Sequence, residues 1–142
     1  MLRNFYLCAV LITTSAFARA GDVPRCGGRE SEQLPPASNA VVFWNAVADN
    51  SIAVVGGKSP QQGSVEIAIV QIAVYDAVNA ICGYPFTAYA VNPDVQVPAL
   101  PEVAVAAAAH DVLVALYPAQ AATLDQQYAD YLGAIPGTTK EN

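Results

Sequence analysis

The chain is poor in the residues from which most sites are built. It has one histidine, His110, in 142 residues, which excludes a multi-histidine metal site. Lysine and arginine number six against twelve aspartates and glutamates, a net charge of −6. Nucleic-acid binding draws much of its affinity from neutralised phosphates, so this balance argues against it. The same shortage argues against a basic membrane-surface patch. No P-loop, dinucleotide-binding glycine pattern or Gly-x-Ser-x-Gly elbow occurs. Gly56-Gly57-Lys58-Ser59 superficially resembles a phosphate loop, but it lacks the leading glycine and a preceding strand. It reads as a turn between helices.

Charge of either sign is scarce, at 13% of residues, while 54% are hydrophobic. That combination excludes a disordered chain and leaves ample apolar surface for a core. The length fits one domain or part of one.

Residues 1–20 are of a different kind. Arg3 gives a positive start, Phe5 to Ile12 is a short apolar run, and Ala16-Phe17-Ala18 or Ala18-Arg19-Ala20 fits a small-x-small cleavage site. This is the pattern of a secretory signal peptide, and a membrane anchor fails on length. The expected location is therefore exported, periplasmic or extracellular, with no membrane attachment after cleavage. Cleavage leaves four basic against twelve acidic residues, a net of −8, and the cysteines Cys26 and Cys82. Their bonded and free states are both compatible with the sequence; a bond would tie the tail to the end of the main helix.

Residues 21–37, with Gly-Gly, Pro-Pro and no period, read as a flexible tail or linker. Residues 38–142 read as the helical part. Ser38 or Asn39 caps a helix over 40–55, with Val41, Trp44, Val47, Ala48 and Ile52 on one stripe and Gly56-Gly57 ending it. A central helix follows from about Pro60 to Ile81, with Ser59 as cap and Gln62 three residues on. Apolar residues on nearly every side of it predict a buried helix with neighbours on most faces. Glu66, Gln71 and Asp76 interrupt the run too often for a membrane span.

Residues 83–100, rich in proline, predict a long extended crossover that lays Tyr84, Phe86 and Tyr89 over the helices. Pro101 opens a third helix to Tyr117, whose Ala106 to Ala109 run permits close helix approach. Pro118 ends it and opens a fourth to Ile135, with Ala121, Leu124, Gln127, Tyr128, Tyr131 and Leu132 as its stripe. Thr138-Thr139 resembles the cap of a further helix. The expected fold is all-α, a bundle of about four helices around a buried central helix, and an incomplete domain.

Few polar groups stand where chemistry could use them. His110 beside Asp111 makes a weak dyad, since adjacent helical residues point about 100° apart. A histidine hydrogen-bonded at a helix interface is the favoured reading. Asp76 and Asn79, at i and i+3, read as core polar groups that bond each other or cap a neighbouring loop. Trp44 reads as a core anchor whose indole N–H finds a carbonyl. No spacing supports Cys26 or Cys82 as a nucleophile with His110.

Taken together, several blocks resemble a known family. They are Val42-Phe43-Trp44-Asn45, the run Gln71 to Ile81 with Tyr75-Asp76-Ala77-Val78-Asn79-Ala80, Tyr84-x-Phe86, Ala108-Ala109-His110-Asp111-Val112-Leu113, and Leu116-Tyr117-Pro118. The chain from about Asn39 to Asn142 resembles the N-terminal half of bacterial vanadium-dependent haloperoxidase-like proteins. Those share an all-helical superfamily with the type-2 phosphatidic acid phosphatases. The resemblance implies an enzyme whose lysine, arginines and histidines hold vanadate or phosphate in its C-terminal half, and none of those motifs lies here. It carries no catalytic, cofactor-binding or metal residue onto this chain. Two expectations follow. The chain is the scaffold of an exported haloperoxidase-like enzyme, peroxidase or acid phosphatase, inactive alone and partnered by the missing catalytic half or an equivalent helical partner. Alternatively, it is a stand-alone exported helical module that binds a partner without catalysis.

Overall fold

A computed structural model describes residues 39–92 and 99–135. The leader, the tail with Cys26, and the cap at Thr138-Thr139 lie outside these residues. Among the described residues there are four α-helices and no strand, which is the all-α class expected.

Helix α1 (Ala40–Asp49) begins where the Asn39 side chain accepts the Val42 N–H at 3.2 Å, filling one of the donors that a helix start leaves unpaired. Its last part, Asn50–Val55, widens into π-type hydrogen bonding. There the Gly56 N–H reaches back five residues to the Ser51 carbonyl at 2.9 Å. The buried stripe is Ala40, Trp44, Val47, Ala48, Ser51 and Ile52. Val41 stays exposed, against expectation, because it shares the outer face with Asn45, four residues on.

Gly57 turns the chain at φ +61°, a conformation that costs glycine little. Helix α2 (Pro60–Ile81) then starts on a capping box: the Ser59 hydroxyl accepts the Gln62 N–H and the Gln62 side chain accepts the Ser59 N–H. Helix α3 (Pro101–Leu116) opens on its proline. A short 3₁₀ turn, Pro118–Gln120, leads into α4 (Ala121–Ala134).

The helix at the centre is α3 rather than α2. It packs against α1, α2 and α4, with Val105, Ala106, Ala109 and Leu113 buried. Ala106 and Ala109 leave almost no side chain between the axes, so neighbours come close; the alanine run does what its composition suggested. Its Leu113 and, around it, Trp44, Ile52, Val70 and Leu124 are fully buried, each such apolar side chain being worth about 1.5–3 kcal/mol.

Helix α2 therefore keeps one side open. Val70, Val74, Asp76, Asn79 and Ala80 face the core, while Val65 is 62% and Ile69 43% exposed. The expectation of neighbours on most of its faces fails over its N-terminal half. At 22 residues and hydropathy 1.4, α2 has the length and composition of a membrane-crossing helix. Its buried Asp76 and Asn79, turned toward protein, identify that side as packed core.

Candidate functional site

Three polar clusters are built on this frame. The first is on the C-terminal half of α2, where Tyr75, Asp76 and Asn79 meet the crossover. Asp76 is fully buried, and its carboxylate accepts three backbone N–H groups, from Tyr89 at 2.6 Å and from Ala90 and Val91 at 2.8 Å. Asn79 donates to the Phe86 carbonyl at 2.8 Å and accepts the Phe86 N–H at 3.1 Å. The Tyr75 hydroxyl donates to the Thr87 carbonyl at 3.0 Å. A helix thus supplies the partners that an extended segment lacks when it has no sheet. The Tyr89 and Val91 amide bonds, against the cost of burial, hold the Asp76 carboxyl below its ordinary range.

Of the two roles the sequence offered for Asp76 and Asn79, bonding each other and capping a neighbouring loop, the structure shows the second. The packing expected of the aromatics is found in part: Tyr84 is half-buried, while Phe86 and Tyr89 are exposed. Residues 86–91 of the crossover are held by their backbone, which leaves Phe86, Tyr89 and Val91 exposed. Tyr89 instead joins Ala68, Gln71, Ile72 and Tyr75 around an open groove of about 320 Å³ on the free side of α2. None of these five carries a formal charge. The Gln71 amide also donates to Asn45 at 3.0 Å, which joins the exposed sides of α1 and α2 at that point.

The second cluster sits at the α1–α2 turn. Glu66 accepts the Tyr117 hydroxyl and pairs with Lys58 at 3.3 Å, and the Lys58 ammonium stands 5.8 Å from the Tyr117 ring centroid. The Tyr117 bond, with help from Lys58 and against burial, holds Glu66 below the usual carboxylate range. Burial, reinforced by the Glu66 charge, pushes Tyr117 up to about 12. Tyr117 lies against Gly56, where a Cβ would stand 2.6 Å from its Cε1 atom. Gln120 donates to the Ser51 carbonyl at 2.9 Å, which fastens the chain before α4 to the widened end of the first helix. The turn at Gly56 to Ser59 is a helix–helix connection, as its sequence indicated.

The third cluster joins α3 to α4. His110 Nδ1 lies 2.9 Å from Asp111 Oδ1 and Nε2 lies 2.8 Å from Asp125 Oδ1. The expected weakness of the Asp111 pairing is corrected here: neighbouring side chains that leave the helix in different directions still meet, because a rotated carboxylate reaches the nearer ring nitrogen. Asp125, fifteen residues on, is the partner that no local spacing signals. The imidazole stacks on Tyr128, centroids 4.6 Å apart at 22°. Tyr128 meets the edge of Trp44, Trp44 meets Tyr131, and Tyr131 stacks on Phe43 at 4.8 Å. Trp44 is a core anchor at 1% exposure, but its indole N–H has no partner among the described residues, so the expected carbonyl is not found.

Cys82 is disulfide-bonded, and its partner lies outside the described residues. Among the described residues no group of three or more His, Cys, Asp and Glu side chains is placed to hold a metal ion. The two basic side chains among them, Lys58 and His110, each face carboxylates. That charge pattern does not fit vanadate or phosphate, which need convergent cations.

Comparison with protein-family models, with curated proteins and with solved structures finds no match to this chain.

Proposed function

We propose that the chain is the N-terminal helical scaffold of an exported enzyme of the vanadium-dependent haloperoxidase-like kind, either a peroxidase or an acid phosphatase. Its oxyanion chemistry comes from a C-terminal catalytic half or an equivalent helical partner. The observation that carries this reading is the open face of α2, where Val65, Ile69, Ile72 and Tyr75 continue through Gln71 and Asn45 onto α1. An apolar helix face of this kind suits a further helix layer better than water. The Tyr75-Asp76-Asn79 clamp supports it as well, since the most distinctive block of the resemblance bonds the crossover backbone, as a scaffold element would. Lys58 and His110 take no catalytic role, because an anion approaching either meets Glu66, Asp111 or Asp125 first.

The same face supports the second reading, a stand-alone exported module that binds a helical partner. Calorimetry with vanadate on the purified mature chain, with halide peroxidation assayed alongside, tests the first. No binding and no turnover are expected. Stoichiometric binding with activity would overturn the scaffold assignment and make Lys58 and His110 the first residues to substitute. The coding sequence past Asn142 separates the two readings. An in-frame continuation with a Ser-Gly-His-like motif supports the enzyme scaffold, and a stop codon supports the module.

A further inference from the structure

The cluster at the α3–α4 interface has no part in that function, yet its geometry demands a particular protonation state. A neutral imidazole carries one N–H and one lone pair. Placed between Asp111 and Asp125, it satisfies one carboxylate and turns a lone pair on the other. Only the imidazolium, with two N–H groups, fits both contacts at 2.9 and 2.8 Å.

Among the described residues, the other charged groups of α2, α3 and α4 act on other partners. Tyr128 stacks on the imidazole; burial, with the Asp111 charge, raises it, so it stays neutral where histidine titrates. From α1 come the Phe43 and Trp44 rings, which do not ionise. On α2, Glu66 is held by Tyr117 and Lys58, and Asp76 by three amides. On α4, Asp130 accepts from Gln126 at 2.8 Å. Glu102 acts on Tyr131 at the far end of the aromatic row.

We propose that His110 is a proton-operated latch for α4: protonated, it ties Asp125 of α4 to α3, and loss of the proton frees the first half of that helix. The release is confined to that half. Its holdings are the Asp125 contact, the Tyr128 stack on His110, the edge contact of Tyr128 with Trp44 and the buried Leu124, with Gln120 on the Ser51 carbonyl just before it; only the first two depend on the proton. The second half is kept by Tyr131 on Phe43, which does not respond in this range. Losing the proton removes one hydrogen bond, sets a lone pair against a carboxylate and withdraws the cation from the Tyr128 ring. Leu124 and Tyr128 then become accessible. Burial opposes the charge on His110, but the bonds and charges of Asp111 and Asp125 outweigh it, so the latch stays closed through the ordinary histidine range and opens above it.

His110 is the only histidine in the chain, so its ring resonances in the full-length protein follow one titration. Amide protection factors along α4, taken between about pH 5 and about pH 9, provide the second readout. Protection over residues 121–128 is expected to fall in step with the His110 titration while α2 holds. His110→Phe, which keeps a ring for Tyr128 but no N–H, is expected to hold α4 protection near the wild type's high-pH level throughout and remove the step. Asp125→Asn, which keeps an acceptor oxygen without its charge, is expected to move the step to lower pH. A wild-type α4 without a step overturns the proposal. So does a step that survives in His110→Phe, or a midpoint that Asp125→Asn leaves in place.

Discussion

Gly56→Ala is a substitution for which two physical effects point in opposite directions. The residue has φ −77° and ψ −14°, which alanine adopts freely. On backbone grounds alone, alanine stabilises by about 0.4–1 kcal/mol, because it narrows the unfolded ensemble. The new Cβ would stand 2.6 Å from Tyr117 Cε1, 2.7 Å from the Ile52 carbonyl oxygen and 2.9 Å from that of Ser51. The Ser51 oxygen is already fixed by the Gly56 N–H and by Gln120, and the Ile52 oxygen by the Lys58 N–H, so of the three contacts the Tyr117 ring is the one that yields most readily. Overpacking of this kind costs about 1–3 kcal/mol, which exceeds the backbone gain, and a displaced ring also draws its hydroxyl off Glu66. The net expectation is destabilisation by about 1–2 kcal/mol, or a fall in Tm of about 4–8 °C for each kcal/mol in a domain of this size. Differential scanning calorimetry of the wild type, Gly56→Ala, Tyr117→Leu and the double variant completes the cycle. Alanine should cost markedly less once the ring is gone, a coupling of about 0.5–3 kcal/mol. An unchanged or raised Tm in Gly56→Ala, or strictly additive losses, would refute the account.

Asn79→Ala strips both partners from the Phe86 backbone, and a loss of about 2–3 kcal/mol in urea unfolding is expected, with faster proteolysis of the crossover as the local sign. Leu113→Ala empties a fully buried position on the central helix and should cost about 2–5 kcal/mol by the same measurement. The Asp76 carboxyl is depressed in the folded chain, so its stabilisation is full above the ordinary aspartate value and lost as pH falls through the folded one. Asp76→Asn should flatten that acid limb in a pH series of urea midpoints. Tyr117 is shifted the other way, to about 12. Its contribution is complete below the ordinary tyrosine value and lost as pH rises toward the shifted one, so Tyr117→Phe should flatten the alkaline limb.

What was legible in the sequence was what is written locally. The Ser59–Gln62 capping box and Pro101 fix two helix starts within a few residues of chain, and the structure begins those helices there, while Pro118 opens a 3₁₀ turn that delays the fourth helix to Ala121. The choice of central helix was not legible. Both α2 and α3 are apolar on most sides, and hydrophobicity alone does not say which of two such helices has neighbours. The alanines at 106 and 109 decide it through close approach. Partnerships across the fold were equally hidden: Glu66 and Tyr117 are 51 residues apart, and His110 and Asp125 meet only because Pro118 turns α4 back along α3. The Asp76 and Asn79 clamp was half visible, since a buried aspartate promises a partner without naming it.

The way that clamp grips has an evolutionary consequence. Among the described residues, the side chains of Asp76 and Asn79 bond to main-chain atoms of the crossover, and Tyr75 does the same. Backbone amides and carbonyls are alike in nearly every amino acid, so the grip is indifferent to which side chains stand at 86–91, proline excepted where an N–H is needed. Phe86, Tyr89 and Val91 point outward from it. The segment is thus a display strip in a fixed socket, along which new surface chemistry can be tried without renegotiating the fold.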